Sequence, residues 1–149
     1  VNSLHGSIPN EIGKLHMMVV LRMSSNSLTG SIPSTMSSLT SLQFLYVNTN
    51  KLIGSIPVDV GIGMTSLKQV RLFDNSLTGS IPSSLCSATS LSLIQTYSNP
   101  SLTCYASCLS TVSTYHFGVN TTDCVLGRNR VLSLSSRLTF SSRRLLHYR

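Results

Sequence analysis

Hydrophobic and polar positions recur along the chain in one arrangement, with a period of 24 or 25 residues. Each full unit carries three apolar residues at positions 1, 4 and 6 and then an asparagine, as in Leu42, Leu45, Val47 and Asn50. The tetrapeptide Gly-Ser-Ile-Pro follows the asparagine at residues 6–9, 30–33, 54–57 and 79–82. A repeat of this length predicts a solenoid, because one unit cannot bury its apolar face alone and must stack on the next.

The alternation within each unit predicts one short strand. Leu45 and Val47 should point into the core, whereas Phe44 and Tyr46 should point to the opposite face, because side chains alternate along a strand. We expect the asparagines to satisfy buried backbone groups where the chain leaves the strand. The repeated glycines suit positive φ angles, and the prolines suit a convex side without ladder hydrogen bonds. The sequence therefore predicts a parallel concave sheet and an irregular or 3₁₀ convex side.

The repeated Asn-x-Leu-x-Gly-x-Ile-Pro, preceded by the apolar triplets, resembles the plant-type leucine-rich repeat, LxxLxLxxNxLxGxIPxxLGxLxx, over residues 1–102. This resemblance implies an α/β-type solenoid, the right-handed leucine-rich-repeat coil. It occurs in ectodomains of receptor-like kinases, receptor-like proteins and polygalacturonase-inhibiting proteins. Residues 103–124 resemble the cysteine-containing C-terminal cap of such arrays. The first repeat is partial, so we expect the chain to be a fragment of a longer array.

Charge is distributed unevenly between the body of the chain and its end. The net charge is +7, but residues 1–124 hold five basic and four acidic residues, while residues 125–149 hold six arginines and no acid. We expect this basic tail to be disordered, with membrane-surface binding as the alternative, and we expect no nucleic-acid partner. No apolar stretch reaches the length of a transmembrane helix. Apart from this alternative for the tail, membrane association is expected through parts of the protein outside this chain.

The outward-facing strand positions are the candidate partner-binding surface, since the concave face commonly binds the partner in the family that the chain resembles. Aromatic residues and arginines, which are enriched at binding hot spots, gather there. The predicted contact residues are Arg22, Phe44, Tyr46, Asn48, Gln69, Arg71, Phe73, Asp74, Gln95 and Tyr97. The expected partner is a peptide, a glycan or a protein. The alternative is that Arg22, Tyr46 and Arg71 form a cation–π ladder that only stiffens the sheet.

The four cysteines, Cys86, Cys104, Cys108 and Cys124, cluster where the repeats decay, which predicts a disulfide-bonded cap with the pairing left open. A zinc site containing Cys104, Cys108, His116 and Cys124 is the alternative, but its spacing is wider than is usual for zinc, so we expect no metal. Asn120 begins the only N-glycosylation motif. Together these features favour the secretory pathway and an extracellular or cell-surface location.

Catalytic motifs are missing from the sequence. The histidines are scattered, and neither a Gly-x-Ser-x-Gly nor a His-Glu-x-x-His motif occurs. We therefore expect a non-catalytic recognition module without a cofactor, as part of a cell-surface receptor-like protein. A structural or adhesive surface protein, or a secreted enzyme inhibitor of the same repeat type, are the alternatives.

Overall fold

The computed structural model describes residues 3–116 and 122–123, which wind as a solenoid of stacked coils. The strands are β1 (His5–Ser7), β2 (Val20–Arg22), β3 (Ser27–Thr29), β4 (Phe44–Tyr46), β5 (Ile53–Ser55), β6 (Gln69–Arg71), β7 (Ser76–Ser80), β8 (Leu93–Gln95), β9 (Ser101–Tyr105), β10 (Thr114–His116) and β11 (Thr122–Asp123). The 3₁₀ helices are Asn10–Lys14, Ser34–Ser38, Ser83–Ser87 and Ser107–Thr111, and α1 (Val60–Gly63) is a short α-helix.

The concave face is a parallel sheet of five strands in the order β10-β8-β6-β4-β2. Its register aligns the central residues of successive coils, so that Leu21 pairs with Leu45 and Leu45 with Val70. These side chains are buried, which places the outward positions side by side on the opposite face. The predicted concave sheet and 3₁₀ side are confirmed.

The flank of the solenoid carries a second set of parallel strands that the sequence analysis did not predict. β1 pairs with β3, and β5, β7, β9 and β11 form a four-stranded sheet. An isolated β-bridge between Ser31 and Ile53 joins these two flank sheets. Pairing with the next coil satisfies backbone groups that an irregular segment would leave to water.

The core is a continuous column of aliphatic side chains. Leu39, Leu42, Leu52 and Met64 are fully buried and belong to one hydrophobic cluster that runs through the stacked coils. Thr96 occupies the inward position that is apolar in the earlier coils, and its Oγ1 is buried without a hydrogen-bond partner. The predicted stacking of inward aliphatic residues is therefore confirmed, with one polar substitution near the C-terminal end.

The repeated asparagines hold the coils together, as predicted. The Nδ2 of Asn50 donates to the carbonyl oxygens of Val47 at 3.0 Å and of Met23, in the preceding coil, at 2.9 Å. Its Oδ1 accepts from the backbone N–H of Leu28 at 3.0 Å. Asn75 and Asn99 make the equivalent bonds one and two coils later. A ladder of asparagine hydrogen bonds thus runs beside the aliphatic core, partly buried at Asn50 and buried at Asn75 and Asn99.

On the convex side of the 25-residue unit, the short α-helix α1 stands where the neighbouring units have a 3₁₀ helix. Both glycines of α1 touch neighbouring coils closely. A β-carbon on Gly61 would overlap the carbonyl oxygen of Ser84, and one on Gly63 would overlap that of Ser37. Glycine is therefore required by packing at both positions.

The stacking continues past residue 102 into the segment expected to form the cap. β9 pairs with β7, and β10 pairs with β8 in the concave sheet. Tyr105 and Leu109 are buried in the same core. The cap segment therefore adds a further coil to the solenoid.

None of the helices in the described residues is long and apolar enough to cross a bilayer.

A disulfide joins Cys86 and Cys108, which lie on consecutive convex helices. Cys104 is also disulfide-bonded. Because Cys108 is paired with Cys86, the alternative zinc site that included Cys108 is wrong. Cys124, the glycosylation motif at Asn120 and the basic tail 125–149 lie outside the described residues.

Candidate partner-binding surface

The concave sheet places one outward side chain of each strand in a central row. The row is Arg22, Tyr46, Arg71, Gln95 and His116, each residue paired in register with the next. Neighbouring strands are about 4.8 Å apart, so five strands form a surface about 19 Å wide. The first four members are among the predicted contact residues, and the fifth extends the row onto β10.

Tyr46 is the centre of a cation–π ladder. The guanidinium carbon of Arg71 lies 4.7 Å from the centre of the Tyr46 ring, and that of Arg22 lies 5.2 Å from it. The Tyr46 hydroxyl donates a hydrogen bond of 2.5 Å to Oε1 of Gln69. The arrangement predicted as the alternative to partner binding is thus present, and it holds the phenol ring in place.

A second group of rings lies beside the central row. Phe73 and Tyr97 stack with ring centres 4.5 Å apart and planes 10° apart. The ring of His116 meets Tyr97 edge-on at 6.4 Å, and Phe44 is tilted against Tyr46 at 6.2 Å. All of these side chains are half-buried, so each keeps part of its surface in contact with solvent. The concave surface therefore presents rigid aromatic area beside two cations.

Not every predicted contact residue is available to a partner. Asn48 is only 9% exposed, and its Oδ1 accepts a hydrogen bond of 2.6 Å from the Ser24 hydroxyl. We expected Asn48 to face outward with the other variable positions. This expectation is wrong, because its side chain is buried and bonded to Ser24 of the preceding coil.

The rim of the surface is a repeated sharp corner. Ser25, Thr49, Asp74 and Ser98 have φ between 52° and 57°, a region that residues other than glycine seldom adopt. The Thr49 hydroxyl lies 3.5 Å from Oδ2 of Asp74. Asp74 is exposed at this corner, away from the central row. The central row thus contains two arginines and no carboxylate among the residues that the structure describes.

Nothing in the described part of the chain brings together the histidine, cysteine and carboxylate side chains that bind a metal ion. Nε of Arg71 is buried without a hydrogen-bond partner, while the guanidinium stacks on Tyr46. The chemistry available is therefore hydrogen bonding, aromatic contact and attraction of negative charge.

Strand β10, which adds Thr114 and His116 to the surface, is not predicted by the repeat pattern. His116 follows its strand partner Gln95 by 21 residues instead of the usual 24 or 25, so the repeat pattern did not include it. The signal that remains is the apolar spacing of Leu102, Tyr105 and Leu109, which continues the core.

Comparison with known proteins agrees with this geometry. The family model described as Leucine Rich Repeat matches residues 17–39 and 66–88. The ectodomain of the Arabidopsis thaliana receptor kinase GASSHO1/SCHENGEN3, solved in complex with CASPARIAN STRIP INTEGRITY FACTOR 2, is 32% identical over 64% of this chain, with a TM-score of 0.62. The chain is a plant-type leucine-rich-repeat protein. Two further similar structures support this assignment.

The plant peptide hormone receptor RGFR1, in complex with RGF2, is 33% identical to the present chain. The match covers 71% of the present chain, with a TM-score of 0.61. The BIR2 ectodomain from Arabidopsis thaliana is 25% identical over 79%, with a TM-score of 0.70. The leucine-rich-repeat protein covers 11% of the GASSHO1/SCHENGEN3 chain, 16% of RGFR1 and 64% of BIR2. Comparison with curated protein sequences gives no match.

Proposed function

We propose that the chain is a non-catalytic recognition module of a receptor-like ectodomain, and that its concave surface binds an extended peptide. The observation that carries the proposal is the half-exposed group of Tyr46, Arg71, Phe73 and Tyr97 on one rigid sheet. Aromatic and arginine side chains of this kind dominate binding energy at interfaces. Similar ectodomains have been solved with CASPARIAN STRIP INTEGRITY FACTOR 2 and with RGF2, the latter on a peptide hormone receptor.

The dimensions of the surface favour a peptide over a large protein. A strand-like peptide rises about 3.3 Å per residue, so the width of about 19 Å accommodates about six residues across the five strands. Interfaces between folded proteins usually contain about 20–30 residues on each side. An extended peptide therefore fits the exposed side chains better than a globular partner does.

Secretion and a cell-surface location belong to the same proposal. The disulfide between Cys86 and Cys108 is of a kind that persists in oxidising compartments. Glycosylation at Asn120, and membrane attachment through parts of the protein outside this chain, remain predictions that agree with that location.

A purely structural role has support of its own. The rings contact side chains of neighbouring strands, both in the arginine–Tyr46 ladder and in the Phe73–Tyr97 stack. These contacts stabilise the sheet without any ligand. In a scaffold or adhesive protein, these contacts would be the whole function of the concave residues. Removal of a ring distinguishes the two roles: it should weaken peptide binding by the folded protein if the surface is a binding site, and leave binding unchanged if the surface is a scaffold.

Selection of binders from a phage-displayed library of random dodecapeptides tests the proposal. We expect peptides that bind the immobilised chain to lose at least about tenfold in affinity when Tyr46→Ala or Phe73→Ala is introduced, as for a hot-spot residue. Thr78→Ala is the matched control, because Thr78 is exposed on the flank strand β7. Circular dichroism verifies that each variant is folded. Equal affinity of the selected peptides for Tyr46→Ala, Phe73→Ala and the unmodified chain would show that the concave surface is a scaffold.

A further inference from the structure

His116 is held in a defined position at the C-terminal end of the central row. Its Nδ1 lies 3.2 Å from Nε2 of Gln95, and its ring meets Tyr97 edge-on. Its backbone carbonyl accepts a hydrogen bond of 2.8 Å from the N–H of Thr96. The imidazole is half-buried, so one part of it contacts its neighbours while another part faces the concave surface.

The contact with Gln95 depends on the protonation state of the imidazole. A neutral histidine accepts a hydrogen bond at one ring nitrogen, whereas the protonated form donates from both. In the observed contact the Gln95 amide nitrogen faces Nδ1, which suits the neutral imidazole. Protonation of His116 would place two donors against each other, so Gln95 would have to turn its amide oxygen toward the ring. Its amide nitrogen would then face away from the ring.

Protonation would also change the charge of the central row. The neighbours of His116 are neutral. They are Gln95 on β8, Tyr97 just after β8, and Tyr115 on the same strand as His116. The charged groups on the same face are Arg71 on the next strand but one, Arg22 farther along the row, and Asp74 at the rim. A protonated His116 thus adds a third cation to a row with no carboxylate of its own among the described residues.

We propose that His116 determines specificity on the concave surface, and that its protonation, together with the reoriented Gln95 amide, favours peptides with acidic side chains. This inference rests on the proposed function, because it assigns a ligand chemistry to the same surface. Histidine is the side chain that most readily changes its charge between about pH 5 and 8. One additional unit charge about 7 Å from a ligand carboxylate in water strengthens binding about threefold.

The rearrangement itself is tested without a ligand. In a pH titration by NMR spectroscopy, we expect the side-chain amide signals of Gln95 to shift with the same midpoint as the imidazole signals of His116. In His116→Gln the Gln95 signals should no longer follow pH. Gln95 signals that stay constant through the titration of His116 would overturn the inference, whatever the protein binds.

The specificity is tested with a tetramethylrhodamine-labelled tetraglutamate peptide, by fluorescence anisotropy at about pH 5.5 and 7.5, because this dye keeps its charge over that range. The readout is the ratio of the two affinities, compared between the unmodified chain and His116→Gln, because the arginines of residues 125–149 and every other histidine, including His147, are the same in both. We expect this ratio to fall about threefold in His116→Gln. It should be unchanged in the control His16→Gln, whose imidazole contacts the carbonyl oxygen of Ser38 on the convex side.

The outcomes separate this inference from the proposed function. A ratio that His116→Gln leaves unchanged, or no binding of tetraglutamate at either pH, overturns the inference even if library peptides bind through Tyr46 and Phe73. If the library peptides do not depend on those rings, the proposed function fails. In that case, a His116-dependent ratio for tetraglutamate would still support the role of His116 in attracting acidic peptides.

Discussion

The side-chain oxygen of Asn75 accepts a hydrogen bond of 3.0 Å from the backbone N–H of Leu52, which lies one coil earlier. The amide nitrogen of Asn75 donates to the carbonyl oxygens of Val47 and Leu72, at 3.2 and 3.0 Å. One side chain therefore satisfies backbone groups of two coils where water has little access, since Asn75 is 7% exposed. The solenoid depends on this residue type because few other side chains carry a donor and an acceptor in so compact a group.

Replacing Asn75 by alanine should lower the free energy of unfolding by about 1–3 kcal/mol. The substitution leaves the buried backbone N–H of Leu52 without a partner, and one unsatisfied buried group costs about this much. The carbonyl oxygens of Val47 and Leu72 each lose one of two donors, because Asn50 and Asn99 also bond to them. Urea unfolding followed by circular dichroism measures the change. Asn10→Ala is the control, since Asn10 is exposed on the first convex helix, and it should stay within about 0.5 kcal/mol of the unmodified chain. Similar costs for the two substitutions would contradict the role given to the ladder.

Sequence alone predicted the parts of the structure that repeat. Asn50 and Gly54 recur with the period of the coil because the backbone makes the same demand in each coil. At Asn50 the demand is an amide that bonds to backbone groups, and at Gly54 it is a positive φ of 75°. The flank strands were not predicted because they have only two to five residues and consist largely of serine, threonine and glycine, which are equally typical of loops.

The candidate surface was less predictable, because its residues do not repeat. The alignment of Arg22, Tyr46 and Arg71 followed from the period, and the cation–π ladder was foreseen as an alternative. The burial of Asn48 depends on a hydrogen bond with Ser24 that its position in the repeat does not specify. His116 joins the surface because the last coil, although shorter, still stacks in register on β8. The sequence does not show this register, because it depends on three-dimensional packing.

Gly63→Ala should destabilise the chain by about 1–3 kcal/mol. Its new β-carbon would overlap the carbonyl oxygen of Ser37, a backbone atom of the preceding coil that cannot move without disturbing the stack. Thermal unfolding measured by calorimetry gives the change. Ile62→Ala, on the same turn and 63% exposed, is the matched control and should have little effect. Equal melting temperatures for the two variants would mean that the convex side tolerates looser packing than the structure shows.

Tyr46 should couple more strongly to Arg71 than to Arg22. Both guanidinium groups lie near the ring, but Arg71 is closer and half-buried, whereas Arg22 is exposed, and cation–π attraction strengthens from about 0.5 kcal/mol at exposed sites as water is excluded. Double-mutant cycles that combine Tyr46→Leu with Arg71→Met or with Arg22→Met, measured by urea unfolding, separate the two contacts. We expect a coupling of about 1 kcal/mol for Arg71 and about half of that for Arg22. A larger coupling for Arg22 would contradict the geometry of the ladder.

Removing the disulfide between Cys86 and Cys108 should lower the free energy of unfolding by about 3 kcal/mol. The bond closes a loop with a sequence separation of 22 residues, and the loss of chain entropy from the unfolded state by such a loop predicts this magnitude. The double variant Cys86→Ser, Cys108→Ser is compared with the unmodified chain by urea unfolding without reductant. The flank and concave strands of the last coil, β9 and β10, pair with β7 and β8 independently of the disulfide, so the variant should still fold. Ser87→Ala, an exposed neighbour of Cys86, is the control and should change little. Peptide mapping under non-reducing conditions must recover Cys86 linked to Cys108, and recovery of either cysteine in another linkage would refute the pairing on which this prediction depends.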